Sequence, residues 1–184
     1  MDKNAIVTGM TGQDGPYMAK LLLEKGYKVY GIMKRYSAPN TENMDYLGIT
    51  KDIELVTGDL TDETSINTLV KQIQPEYFVN MGAQGNVGDS WQIPKQTFEA
   101  NSLGPVNCLQ AIKTLSPHTK FYQASTSEMF GDACQISEKQ NEEIPFWPNT
   151  PYSISKLNAH WTVSMYRQAY GLFAVSGILF NHES

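Results

Sequence analysis

The sequence is poor in cysteine, short of positive charge and free of long apolar runs. Two cysteines, Cys108 and Cys134, occur in 184 residues. They form no disulfide framework and no C-x-x-C motif, so a reducing compartment is the simpler reading, with both as small core or surface residues. Nineteen acids against fourteen Lys and Arg leave a formal charge of −5. That balance argues against nucleic acid or an anionic membrane as the main partner, although a local basic pair can still serve a phosphate. No apolar stretch approaches the roughly 20 residues of a membrane span. The N-terminus enters a strand directly, without the architecture of a signal peptide, so a cytoplasmic protein is expected. Internal repeats and low-complexity tracts are missing too. With 41% hydrophobic residues the chain has material for one sizeable core, so a single domain over residues 1–184 is expected.

What is present begins with a glycine-rich turn. Asn4 to Thr8 is a short apolar run that breaks into Gly9-Met10-Thr11-Gly12-Gln13-Asp14-Gly15. Such a turn between a strand and a helix leaves backbone N–H groups free at the helix N-terminus, where they can hold a pyrophosphate that side chains would block. Taken alone, the spacing is also met in turns of no function. Its context strengthens it: Tyr17 to Gly26 reads as a helix closed by a glycine, with Pro16 harmless in the first turn. A second strand, Lys28 to Ile32, ends in Met33-Lys34-Arg35. At this place a carboxylate would bind the ribose of NAD, whereas arginine accommodates the 2′-phosphate of NADP. The basic residues favour NADP; the alternative is a solvated basic pair on a loop.

Residues 36–51 look like a long connection with a short helical piece. A third strand over Asp52 to Thr57 ends in Gly58-Asp59-Leu60, where the acid either receives an adenine amino group or caps the next turn. Thr61 or Asp62 then caps a helix carrying Ile66, Leu69, Val70 and Ile73 on one face. The apolar run Tyr77 to Met81 reads as a strand buried on both faces, and Gly82-Ala83-Gln84-Gly85 after it lets a ligand lie close. Residues 94–114 are helical in pattern, with Val106, Leu109 and Ile112 on one side; Gly104-Pro105 should kink or interrupt them. A fifth strand, Lys120 to Ala124, delivers Ser125-Thr126-Ser127-Glu128. An irregular stretch over 131–150 is of a length that is often functional. A helix opened by Pro151 and running to about Tyr170 leads into a sixth strand, Phe173 to Leu179. The alternation predicts an α/β fold with a doubly wound parallel sheet and right-handed crossovers.

Tyr152 and Lys156 stand one turn apart on one helical face. A free phenol is too weakly acidic to act as a base at neutral pH, and a neighbouring ammonium lowers its pKa while hydrogen-bonding a ribose. The Y-x-x-x-K spacing is common and usually empty of meaning. Here it follows the glycine turn by the right number of strand and helix units, and Ser125-Thr126-Ser127 precedes it at a strand end, all directed to the sheet edge where open α/β folds bind ligands. These features suggest an NADP-dependent alcohol oxidation. Glu128 adds a carboxylate beside the Thr126 hydroxyl if the segment stays extended, which suits proton abstraction next to a transient ketone. The alternative for Glu128 is a surface glutamate.

Gly9 to Gly15, Gly58 to Asp62, Phe121 to Glu128, Pro151-Tyr152 with Lys156, and Gly177 to Ser184 together resemble the GDP-mannose 4,6-dehydratases, of the extended short-chain dehydrogenase/reductase group. The resemblance runs through the whole sequence. It implies a Rossmann-type domain, tightly held NADP, a Thr-Glu-Tyr-Lys set, and conversion of GDP-mannose to GDP-4-keto-6-deoxymannose, a precursor of GDP-fucose. By matching position, it implies that Thr126 bonds the hexose C4 oxygen and Tyr152 takes its proton, while Lys156 holds the ribose. Glu128 is implied to take the C5 proton and to serve the loss of water from C6. Gly9, Thr11, Gly12, Gln13, Asp14, Gly15, Arg35, Asp59, Leu60, Gly82, Ala83, Gln84, Lys156 and His182 are implied to contact the cofactor, and Thr126 and Asn181 the substrate. No metal is implied, and relatives of this kind assemble as dimers or tetramers. Departures from the family pattern are Gly85 for a serine, Asn149-Thr150 for Arg-Ser, and Gln96 for a tyrosine. The family also continues past Asn-His-Glu-Ser into a sugar-nucleotide domain that this sequence does not contain. Two alternatives remain: another nucleotide-sugar dehydratase, epimerase or 4-ketoreductase, or a non-catalytic NADP-binding module.

Overall fold

The computed structural model describes residues 3–34, 40–135 and 139–182. In chain order its elements are β1 (Asn4–Thr8), α1 (Asp14–Glu24), β2 (Lys28–Met33), α2 (Glu42–Tyr46), β3 (Ile53–Thr57), α3 (Glu63–Ile73) and β4 (Tyr77–Asn80). They continue with α4 (Val87–Ser90), α5 (Pro94–Phe98), a π-helical turn (Glu99–Leu103), α6 (Gly104–Leu115), β5 (Lys120–Thr126), a 3-10 segment (Ser127–Gln135), α7 (Pro151–Tyr170) and β6 (Ala174–Leu179). The strands form one sheet of order β3-β2-β1-β4-β5-β6, every neighbouring pair parallel. Chain direction along the sheet reverses between β1 and β4, so the ligand crevice of this Rossmann-type fold lies above their C-terminal ends.

Period-two alternation on the strands explains the two apolar layers. Ile6, Phe78 and Phe121 point to one side, where they pack with Leu69 of α3, Leu109 and Ile112 of α6, and Val163 of α7. Ala5, Val7, Val29 and Val79 point to the other, against Ala19 and Leu22 of α1 and Met44 of α2. A buried side chain of this size contributes about 1.5–3 kcal/mol, so these two layers carry most of the favourable free energy.

Local signals set most boundaries. The Asp62 carboxylate accepts from the Thr64 N–H and starts α3. Thr150 and Ser153 form a reciprocal cap at the start of α7, with Pro151 in its first turn, and Gly171 ends that helix at φ 68°. Gly26, at φ 79°, follows α1 in the same way. The irregular link after β2 does hold a short helical piece, α2.

Two expectations are corrected and a third, the interruption at Gly104-Pro105, is met. The fifth strand runs two residues further than predicted, to Thr126, and the chain then turns into 3-10 geometry at Ser127, so Glu128 is not on an extended segment. Its N–H donates to Thr126 Oγ1 at 3.2 Å, a local bond that turns the backbone out of the strand direction. In α6 the buried positions are Pro105, Cys108, Leu109, Ala111 and Ile112, and Val106 is only half-buried. The interruption expected at Gly104-Pro105 is a turn of π-helix: Pro105 has no N–H for the Asn101 carbonyl, and wider winding takes up the mismatch.

Candidate active site

The crevice is a cleft of about 610 Å³ over the strand ends. Thr11 and Gly12 of the first turn line one wall; Asp59 and Leu60, after β3, line a second; Gly82, Ala83 and Gln84, after β4, line a third. The glycines act in different ways. Gly9 has φ +76°, and a Cβ on it would meet the Met81 carbonyl carbon at 2.9 Å, so this glycine lets two strand-end turns touch. Gly15 is buried, and a Cβ there would collide with the Gly9 carbonyl oxygen. Gly12 closes the turn through its N–H to Gly9 O at 3.0 Å and stays exposed toward the cleft. Gln84 has a buried Oε1 that lacks a partner, an acceptor that a ribose hydroxyl or carboxamide would satisfy. Size, glycine turn and orphan acceptor together fit a dinucleotide.

At the outer end of the cleft Lys34 Nζ meets Asp59 Oδ2 at 3.2 Å, and Asp59 Oδ1 accepts from both the N–H and the hydroxyl of Thr61 at 2.9 Å. Burial opposes the charge on Asp59, but the Thr61 and Lys34 bonds outweigh it and hold the carboxyl below its ordinary pKa. Arg35 lies outside the described residues. Gln96 borders the cleft where the family pattern has tyrosine, beside Glu99 and Ala100. Gln13 precedes α1 without a side-chain cap bond, and Asp14 opens the helix. At the start of α1, His182 Nε2 is 3.0 Å from Asp14 Oδ1 and His182 Nδ1 is 2.7 Å from the Phe180 carbonyl. Both ring nitrogens face acceptors, so only the doubly protonated ring satisfies both, and the His182 pKa is raised first by the Phe180 carbonyl and then by Asp14. Asn181 is exposed beside them.

The second half of the site sits at the end of β5. Tyr152, the second residue of α7, is buried, with the Thr126 hydroxyl and the Glu128 carboxylate both near enough to act on its phenol. Lys156 Nζ donates to the Ala124 carbonyl at 2.8 Å and lies 5.9 Å from the Tyr152 ring centroid. Thr126, Glu128, Tyr152 and Lys156 are thus brought together. The electrostatics depart from expectation: burial pushes the Tyr152 pKa up, Glu128 adds to this, and only the Thr126 bond opposes it. Lys156 is turned to the Ala124 carbonyl and is itself depressed to about 8 by burial.

Several residues that hold this arrangement escaped sequence reasoning. Asn101, in the π-helical turn, brackets the backbone of Gln84 in both directions, accepting from its N–H at 2.8 Å and donating to its carbonyl at 3.0 Å. It also donates to Ser155 Oγ at 3.1 Å, and Ser102 Oγ donates to the Ser155 carbonyl. The π-helical turn therefore ties the loop after β4 to the residue before Lys156. The Gly104-Pro105 interruption was its one visible signal. Asn149, the departure from arginine, donates to Asp132 Oδ1 at 2.9 Å and pins the loop after Glu128 to the start of α7. Among the described residues no group of three or more His, Cys, Asp or Glu is placed to hold a metal, and no helix is long and apolar enough to cross a membrane.

Among solved structures, the chain is similar to UDP-glucose 4-epimerase from Brucella ovis in complex with NAD, at a TM-score of 0.83 and 24% identity over 97% of this chain and 52% of that one; this likeness shows the fold alone. The dTDP-glucose 4,6-dehydratase of Bacillus anthracis, also in complex with NAD, superposes with a TM-score of 0.76 at 26% identity, covering 94% of this chain and 53% of that one. In sequence, the chain is 44% identical to GDP-mannose 4,6-dehydratase of Yersinia enterocolitica over 99% of its length and 50% of the relative. It is 45% identical to the Homo sapiens protein of that name over 98% of its length and 50% of the relative. The chain thus spans about half the length of the curated relatives it matches. A family model described as GDP-mannose 4,6 dehydratase matches residues 6–184, and the chain belongs to that family.

Proposed function

We propose that these 184 residues are the NADP-binding domain and catalytic portion of a cytoplasmic GDP-mannose 4,6-dehydratase, forming GDP-4-keto-6-deoxymannose on the route to GDP-fucose. The observation that carries the reading is the meeting of Thr126, Glu128, Tyr152 and Lys156 at one strand end beside a dinucleotide-sized cleft. When bound, NADP supplies the hydride acceptor for C4 and the donor for C6 within one cycle. Thr126 holds the C4 oxygen, and Tyr152, once ionised to the phenolate, receives its proton as a ketone forms. Lys156, with a pKa near 8, is largely cationic at neutral pH and has ammonium protons left for a ribose hydroxyl. The new ketone acidifies the C5 proton, which Glu128 removes and then returns to the departing C6 oxygen as water. An oxidation without elimination needs no such carboxylate, which favours dehydratase over reductase.

The preference for NADP over NAD rests on Lys34, a cation on the cleft wall at the end of β2, with Arg35 next in sequence. Gly9, Thr11, Gly12, Asp59, Leu60, Gly82, Ala83 and Gln84 border the cofactor, Gln13, Gly15 and Asp14 shape the turn below it, and His182 closes over it; Asn181 serves the sugar. Assembly into a homo-oligomer is supported by an exposed apolar stripe on α7, where Ile154, Trp161 and Met165 are 44%, 58% and 51% exposed. Mass spectrometry of GDP-mannose incubated with the natural protein containing this chain tests the reading. Loss of one water, abolished in Glu128→Gln, is expected; unchanged GDP-mannose, or dehydration that survives Glu128→Gln, would overturn it.

A further inference from the structure

Beneath the strand ends runs a line of buried polar groups that the mechanism does not use. The Gly82 N–H donates to Thr8 Oγ1 at 2.7 Å, and Thr8 Oγ1 donates to Asn80 Oδ1 at 2.6 Å. Asn80 Nδ2 donates to Gln123 Oε1 at 2.8 Å, and Gln123 Nε2 donates to the Ala124 carbonyl at 3.0 Å. That carbonyl is the acceptor for Lys156 Nζ. The line crosses from β1 through β4 to β5, with Thr8 and Gln123 2% exposed and Asn80 not exposed at all.

Its direction is fixed at both ends. A backbone N–H can only donate and a backbone carbonyl can only accept, so the hydroxyl and both amides between them have one consistent orientation. Three polar side chains inside a parallel sheet are costly unless all are satisfied, and apolar residues would pack there as well. What the line achieves is a mechanical link: it joins the turn after β4, which lines the cleft, to the carbonyl that anchors Lys156. A carbonyl held by two donors cannot rotate away from the ammonium.

We propose that Thr8, Asn80 and Gln123 are positioning residues for the Tyr152–Lys156 pair, coupling the cofactor-side turn at Gly82 to the Ala124 carbonyl on which Lys156 is anchored. The inference rests on the reading of Tyr152 and Lys156 as base and partner, but the coupling can be measured without turnover. In Gln123→Met, which keeps the volume and removes both polar atoms, hydrogen exchange at the Gly82 amide, three hydrogen bonds away from Gln123 Oε1, should accelerate by about tenfold, as expected for members of one network. The Lys156 titration, followed through its labelled Cε and assigned by Lys156→Met, should move as well. Thr8→Val should reproduce both effects from the opposite end, and Thr8→Ser, which restores the hydroxyl, should reverse them. In turnover, kcat should fall about tenfold with the KM for GDP-mannose unchanged. Folded Gln123→Met and Thr8→Val proteins whose Gly82 exchange and Lys156 titration match the unmodified protein would overturn the proposal. Should these shifts appear in a protein that does not dehydrate GDP-mannose, the coupling stands and the assigned reaction falls.

Discussion

Around β1, β2 and β3 the strand ends are shaped by side chains that are missing, whereas around β4, β5 and α7 they are shaped by side chains that are buried and hydrogen-bonded. In the first region Gly9 and Gly15 let backbone lie on backbone, and the charged residues Lys34, Asp59, Asp14 and His182 are partly exposed. In the second, Asn101, Ser155, Gln123 and Lys156 are all buried, and each has a partner at 2.7–3.1 Å. A nucleotide needs a surface it can approach closely, which glycine provides. Proton transfer needs atoms held in fixed relation, which a satisfied polar network provides at a cost in desolvation.

The contrast breaks most sharply in the second region. Tyr152→Phe should lower kcat by about a thousandfold, the range of a general base, with the cofactor dissociation constant little changed; steady-state kinetics beside cofactor titration check this. Equal losses in both would mean that the phenol is structural. In the first region Gly9→Ala should cost about 3 kcal/mol by adding positive-φ strain to a backbone collision. Gly26→Ala, with φ +79° and nothing within 4 Å of a new Cβ, should cost about 1 kcal/mol. Urea denaturation of the pair separates turn packing from glycine conformation.

Lys156 sharpens the comparison with an effect of opposite sign. Its pKa is depressed from 10.5 to about 8 by burial, so the unfolded chain holds this proton more tightly than the folded one. The folded state is therefore penalised in full below about pH 8, and the penalty is relieved as pH rises toward 10.5. Lys156→Met should raise stability at neutral pH by about 1–3 kcal/mol, lose that advantage between those pH values and abolish activity. Thermal denaturation at neutral and alkaline pH reads the difference, and a destabilised variant would contradict it. The smallest effect belongs to the exposed end: Lys34→Ala should weaken NADP relative to NAD by about tenfold while changing stability by less than about 0.5 kcal/mol, as titration with the two cofactors would show.

What was legible in the sequence follows the same division. The glycine turn, the cap at Thr61 or Asp62, of which the structure shows Asp62, and the limits of α7 are local, written in residues with restricted backbone chemistry, and all are met in the structure. Tyr152 and Lys156 were readable because i and i+4 fix a shared helical face. The polar line through Thr8, Asn80 and Gln123 joins residues 72 and 43 positions apart, and each of them reads as an ordinary strand residue. Asn101 was hidden in the same way: its bonds depend on a π-helical turn that shows in sequence only as a proline in the wrong place. The high acidity threshold of Tyr152 was missed because spacing gives the distance between helical neighbours but not the direction in which Lys156 points.

Glu128→Gln separates the two halves of the proposed chemistry most directly. Mixed with GDP-mannose under single-turnover conditions, this variant of the natural protein containing the chain should still oxidise C4 through Thr126, Tyr152 and Lys156, yet fail to eliminate. Reduced nicotinamide should therefore accumulate in the near-ultraviolet spectrum without loss of water from the sugar. No reduced nicotinamide in Glu128→Gln, or water loss at the unmodified rate, would contradict the account.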